Sequence, residues 1–175
     1  IKDKKCKALL LEPDKKKFLE LCKNIPDPNI IKVNTFVEIK GVNSIDNLLE
    51  ANNFNIDFDF LSIDIDSIDY HIFKSLNKYK PKLICIEFNP TIPNEVEFVQ
   101  QKIHTNQGSS SLSLINLAKS KNYFPICATK TNLFFIHGDY KEFVIGDTIY
   151  EINDLINDDK IKNFIFYGYD GTIFT

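Results

Sequence analysis

The chain has 175 residues, of which 43% are apolar and 26% are charged, and its net charge is −3. This size and balance are typical of one soluble globular domain. No apolar run reaches the ~18 residues of a membrane span, so we expect no membrane span. All 21 basic residues are lysines. The absence of arginine disfavours nucleic-acid binding, because arginine supplies the bidentate contacts to guanine.

The four cysteines, at positions 6, 22, 85 and 127, form no CxxC pair and no cluster with histidine. Their spacing predicts neither a zinc site nor a disulfide framework. Free thiols fit a reducing, cytoplasmic location best. The chain contains no methionine and begins at Ile1. We therefore expect either that it begins inside a longer protein or that its start was removed.

The first half of the chain alternates short apolar runs with helical spacing. The apolar runs predict three strands, at residues 8–11, 30–33 and 36–39. The helical spacing predicts two helices, at residues 15–23 and 45–51. Pro26 ends the first helix, and Ser44 is expected to cap the second.

The second half continues the alternation. The apolar runs predict four strands, at residues 58–65, 82–88, 123–128 and 133–137. Two helices are predicted at residues 67–77 and 112–121. The middle strands are apolar on both faces, which indicates a mostly parallel sheet with helices on both faces. We expect residues 60–63 and 83–86 to be parallel neighbours in the sheet interior, and the last two strands to form an antiparallel edge pair.

The pattern weakens after residue 146, which suggests a division of the chain. Residues 1–146 are predicted to form the α/β domain, and residues 147–175 a C-terminal extension. The extension is expected to contain a helix at residues 149–159 and a hairpin at residues 164–174. The hairpin would turn at Asp170-Gly171.

Polar side chains lie just beyond the carboxyl ends of several predicted strands. Parallel α/β sheets bind their ligands at this edge. These side chains belong to Glu12, Asn34, Asp64, Asp66, Glu87 and Asn89.

Two of these positions have both a functional and a structural interpretation. Glu12 can accept hydrogen bonds from both hydroxyls of a ribose, or it can favour the start of the following helix through the helix dipole. Asp64 and Asp66 form an Asp-x-Asp that can share a divalent cation. Alternatively, Asp66 or Ser67 caps the next helix.

Four segments, in chain order, resemble a known family. Residues 8–14 (ALLLEPD) resemble the second strand of Rossmann-like S-adenosylmethionine (SAM) methyltransferases. Residues 42–49 (VNSIDNLL) resemble the "(S/T)-LD-LL" segment of FkbM-type methyltransferases, and residues 60–69 (FLSIDIDSID) resemble their "LLKIDVEGAE" strand and turn. Residues 82–89 (KLICIEFN) resemble the strand that follows. The resemblance covers roughly residues 8–137.

The resemblance implies a SAM-dependent methyltransferase that methylates an oxygen of a sugar or other small acceptor. Glu12 would hold the ribose of SAM, and Asn34 would lie near the adenine. The catalytic, acceptor-binding side would consist of Asp64, Asp66, Glu87 and Asn89, with no metal ligand among them. Asp64 would take the hydroxyl proton, directly or through a water.

Two departures from the family pattern leave other functions open. Ser67 replaces the glycine of "VEG", and the glycine-rich loop and the first strand of the sheet are absent from this sequence. The expected fold is therefore a Rossmann-like sheet without its first strand, completed by an upstream segment or by a protein partner. One alternative is a non-catalytic accessory subunit of a larger assembly. The other is a metal-dependent glycosyltransferase that uses Asp64 and Asp66.

Overall fold

The protein has a mixed α/β fold, as the sequence predicts. The computed structural model describes residues 6–102, 107–157, 166–167, 169 and 172–174. These residues divide into two compact units. The first contains the described residues of Ile1–Phe58 and His71–Lys80, and the second those of Asp59–Tyr70 and Pro81–Thr175.

The first unit contains one parallel pair of strands and two complete helices. Their order is β1 (Ala8–Leu11), α1 (Lys15–Asn24), β2 (Ile30–Val33) and α2 (Ile45–Ala51). β1 and β2 pair in parallel over all four residues of each strand. α1 begins because the Asp14 carboxylate accepts the Lys17 backbone N–H at 2.8 Å. The buried apolar residues of this unit are Ile30, Ile45, Leu48, Leu49, Ile72, Phe73, Leu76 and Tyr79.

The second unit is built on a mixed four-stranded sheet. Its strands are β3 (Phe60–Ile63), β4 (Leu83–Glu87), β5 (Tyr123–Ala128) and β6 (Asn132–His137), in the spatial order β3-β4-β6-β5. β3 and β4 are parallel neighbours, which confirms their predicted pairing. β5 and β6 form the expected antiparallel pair, with β5 at the edge. Ile84, Ile86, Leu133 and Phe135 are fully buried and form the centre of this unit's core.

Two helices flank β4 in the sequence. α3 (Asp69–Ser75) lies between β3 and β4, and its residues from His71 onward belong to the first unit. α4 (Ser111–Ser120) begins at Ser110, whose side chain accepts the Ser113 backbone N–H. Leu114 and Ala118 on α4 are fully buried. The predicted helices at these places are therefore present, with ends that differ by a few residues.

Three expectations about the strands are wrong. The described strands form separate sheets, and only one of the three strand pairs in the four-stranded sheet is parallel, so the sheet is mixed rather than mostly parallel. β3 is an edge strand of that sheet rather than an interior one, and Phe60 is 49% exposed. Residues 36–39 form no strand: only Glu38 makes an isolated bridge, to Ser44. The turn at Gly41, where φ is +100°, follows directly after these residues and reverses the chain, so they cannot continue as an extended strand.

The last part of the chain contains short elements. A 3₁₀ turn (Gly138–Tyr140), α5 (Lys141–Val144) and α6 (Ile152–Leu155) precede the antiparallel pair β7 (Phe166–Tyr167) and β8 (Ile173–Phe174). The predicted turn at Asp170-Gly171 lies outside the described residues. The division at residue 146 stays a prediction. In the described part of the chain, every helix is too short or too polar to cross a membrane.

Candidate functional site

Three carboxylates meet where β3 and β4 end. Ile63 is in register with Ile86, so Asp64, just after β3, lies beside Glu87, the last residue of β4. One carboxylate oxygen from each of Asp64, Asp66 and Glu87 lies within 4.8 Å of the other two. We call these three residues the carboxylate cluster. The structure thus brings together three of the four residues that the sequence predicts on the acceptor side.

The loop after β3 has an uncommon backbone conformation that sets the position of Asp66. Asp66 has a φ of +61°, in the left-handed region that few residues other than glycine adopt. Aspartate tolerates this region better than most side chains, because its short polar group can bond locally. This conformation turns the chain sharply between Asp64 and the start of α3.

Asp69 holds that loop in place. Its Oδ1 accepts the Ile65 backbone N–H at 2.9 Å, and its Oδ2 accepts the Ser67 backbone N–H at 3.1 Å. The side chain is buried, and this desolvation raises its pKa despite the hydrogen bonds. Asp69 is therefore a positioning residue for the carboxylate cluster. The residues predicted for the site did not include Asp69, and its signal in the sequence was its place beside Asp64 and Asp66 among the acids that follow β3.

Glu87 is the carboxylate whose titration differs most from its ordinary behaviour. Partial burial is the largest cause, and the negative charges of Asp64, Asp69 and Asp66 add to it, raising the pKa of Glu87 from 4.5 to about 7. On the neighbouring strand, Asn132 pairs directly with Glu87. The Oδ1 of Asn132 is buried and has no hydrogen-bond partner among the described residues. Near neutral pH, Glu87 is thus able both to take up and to release a proton.

Asn89, the fourth predicted acceptor-side residue, is bonded within its own loop. Its Oδ1 accepts the backbone N–H and the hydroxyl of Thr91, at 2.9 and 2.6 Å. Its Nδ2 donates to the Gln107 backbone oxygen at 2.6 Å. These bonds fix the chain after β4. A role for Asn89 toward an acceptor stays a prediction.

The two residues predicted to bind SAM end the parallel strands of the first unit. Glu12 Oε1 accepts the Asp14 backbone N–H at 2.8 Å, which is the helix-start role. Asn34 Nδ2 donates to the backbone oxygens of Glu12 and Pro13, at 2.7 and 2.9 Å. A carboxylate beside an amide fits the ribose and adenine of SAM in chemical type. Ribose binding would depend on Glu12 Oε2, and adenine binding on Asn34 Oδ1, because these are the acceptor atoms that the local hydrogen bonds do not use.

No family model matches the chain, and no curated protein and no solved structure shows significant similarity to it.

Proposed function

We propose that this protein is a SAM-dependent O-methyltransferase that acts on a hydroxyl group of a sugar or other small acceptor. The observation that carries the proposal is the carboxylate cluster, which contains Glu87. The cluster lies beyond the carboxyl ends of two parallel strands, where α/β sheets bind ligands. The pKa of Glu87, at about 7, suits a general base at neutral pH.

The arrangement of strands supports a Rossmann-like methyltransferase fold. A parallel pair, β1–β2, and a second parallel pair, β3–β4, are followed by an antiparallel edge pair, β5–β6. The resemblance predicts this order for a chain that lacks the first, central strand.

The proposed chemistry assigns a proton to Glu87. When bound, SAM supplies an electrophilic methyl group, and Glu12 and Asn34 are the residues that would hold it. The acceptor hydroxyl must be oriented and must lose its proton. A carboxylate with a pKa of about 7 is a stronger base than one at 4.5, so the raised pKa favours Glu87 over Asp64 as the proton acceptor. The carboxylates of Asp64 and Asp66 would then accept hydrogen bonds from hydroxyl groups of the acceptor.

The first test of the proposal is SAM binding by the full-length protein. We expect calorimetric titration to detect binding to the wild type. Glu12→Ala should weaken it by about 1–3 kcal/mol, the scale for losing a charged hydrogen-bond partner. Glu20→Ala, at an exposed glutamate on α1, is the matched control and should bind normally. A wild type that does not bind SAM would refute the proposal and favour the accessory-subunit alternative.

Thermal melts of the same variants separate the two interpretations of Glu12. A ribose ligand at a strand end contributes little to core packing, so Glu12→Ala should lose SAM binding with only a small drop in melting temperature. The loss of the hydrogen bond to Asp14 would account for that drop. If Glu12→Ala melts earlier but binds SAM normally, Glu12 only supports the start of the helix.

A metal-dependent glycosyltransferase is the second candidate function, and one observation favours it. The three oxygens within 4.8 Å of one another are the hard ligands that Mg²⁺ and Mn²⁺ prefer. Such an ion would bind the diphosphate of a nucleotide sugar. This function predicts nucleotide-sugar binding that a chelator abolishes and that Asp64→Asn weakens. SAM binding, in contrast, should persist with the chelator.

A further inference from the structure

α1 presents a basic face to solvent. Lys15, Leu19 and Lys23 follow one another at four-residue spacing, and Lys16 lies beside them on the same side of the helix. We call these four residues the lysine face. All four are exposed, and Leu19 is 61% exposed. The lysine face therefore combines three positive charges with an apolar side chain between them.

The fold itself does not explain the lysine face. The opposite side of α1 carries Phe18 and Leu21, which are half-buried. None of the three lysines makes an ion pair or a side-chain hydrogen bond with a residue that the structure describes. Lys15 and Lys16 also lie in the first turn, where cations oppose the helix dipole. Helix stability therefore gives no reason for Lys15 and Lys16, whereas Lys23 lies in the last turn, where a cation is favourable.

We propose that the lysine face docks on an anionic phospholipid surface. Three lysines complement the negative charge of the headgroups, and Leu19 can enter the boundary between headgroups and acyl chains. The lysine stems can lie along that boundary while their ammonium groups reach the phosphates. Lysine suits a diffuse negative surface, because it acts as a point charge without the bidentate geometry of arginine. The exposed leucine between the lysines favours a lipid surface over a fully polar polyanion.

The test is co-sedimentation with vesicles of phosphatidylcholine alone or mixed with phosphatidylserine. One lysine near an anionic surface strengthens binding about fivefold, so three lysines should strengthen it on the order of a hundredfold. We expect binding to the mixed vesicles that weakens as salt is added. The triple variant Lys15→Gln, Lys16→Gln, Lys23→Gln should lose about a hundredfold in partitioning. Leu19→Gln should lose roughly fivefold.

A matched control variant has the same change of net charge elsewhere. Lys102→Gln, Lys119→Gln and Lys130→Gln remove three exposed lysines of the second unit and should leave vesicle binding unchanged. Equal binding of wild type to both kinds of vesicle would overturn the proposal, as would equal losses in the two triple variants. Binding to an acidic peptide or to single-stranded DNA without binding to the mixed vesicles would also overturn it. Thermal melts should show that every variant is folded, because all the substituted positions are exposed.

Discussion

Replacing Glu87 with glutamine should stabilise the protein at alkaline pH and not at acidic pH. The folded chain holds a proton on Glu87 up to about pH 7, whereas an unfolded chain releases it near pH 4.5. Because the folded pKa is above the unfolded value, the free energy of unfolding decreases as the pH rises from 4.5 through 7. Above that window, an ionised Glu87 destabilises the fold. Glutamine has nearly the same shape and cannot ionise, so Glu87→Gln removes the effect.

The size of the effect follows from the shift in pKa. A change from 4.5 to about 7 corresponds to roughly 3.4 kcal/mol between the two protonation states. Glu87 is only half-buried, and solvent screens the charges around it. We therefore expect about 1–2 kcal/mol. For a chain of this length, that energy raises the melting temperature by about 2–8 °C.

The assay is thermal unfolding of wild type and Glu87→Gln at pH 5 and pH 8. The variant should melt higher than wild type at pH 8, and the difference should shrink at pH 5. Glu95→Gln, at an exposed glutamate of the same unit, is the matched control and should change the melting temperature little at either pH. If Glu87→Gln behaves like this control, the carboxylate cluster does not hold Glu87 in the environment described here.

Three further substitutions test the packing around the site and the sheet by urea denaturation. Asp69→Asn should lower the free energy of unfolding by about 1–3 kcal/mol, because one of its two bonds to backbone N–H groups is lost, and an unchanged value would contradict its positioning role. Gly138→Ala should lower it by about 0.5–1.5 kcal/mol, because a Cβ there would lie 2.5 Å from the end of the exposed Asn122 side chain and force it to rotate away, and Asn122→Gly should restore the loss. Tyr123→Phe should lower the free energy of unfolding by about 1 kcal/mol, because the hydroxyl donates to the Pro81 backbone oxygen at 2.8 Å. If the variant and the wild type have the same free energy of unfolding, this bond contributes nothing to stability.

The sequence predicts elements well where burial is continuous. β4 is an apolar run, and Ile84 and Ile86 are fully buried, so the strand appears almost where the pattern places it. The position of β3 within its sheet was not predictable in this way. Three of its four residues are apolar, but they lie in an edge strand with Phe60 exposed. An apolar run indicates that a strand forms. Which strands lie beside it in the sheet depends on contacts between residues far apart in the chain.

The carboxylate cluster could be predicted in part, because parallel strands end at the same edge of a sheet. That rule alone places Asp64 near Glu87. The role of Asp69 could not be predicted, because an acid at the first position of a helix is most often an ordinary helix-start residue. Only the structure shows its carboxylate turned back onto the backbone of Ile65 and Ser67. The raised pKa of Glu87 could not be predicted from the sequence either, because it depends on partial burial together with three acids from another part of the chain.

The group that neutralises the carboxylate cluster distinguishes the candidate functions. Three carboxylates so close together repel one another, and either a proton or a bound cation relieves that repulsion. In the methyltransferase the proton that Glu87 takes up near neutral pH does so, and we expect SAM, but not Mn²⁺, to raise the melting temperature at pH 7. A ligand at a hundred times its Kd stabilises the fold by about 2.7 kcal/mol, which a melt detects easily. A rise with Mn²⁺ in wild type that disappears in Asp64→Asn would contradict the proton-based mechanism and favour the glycosyltransferase.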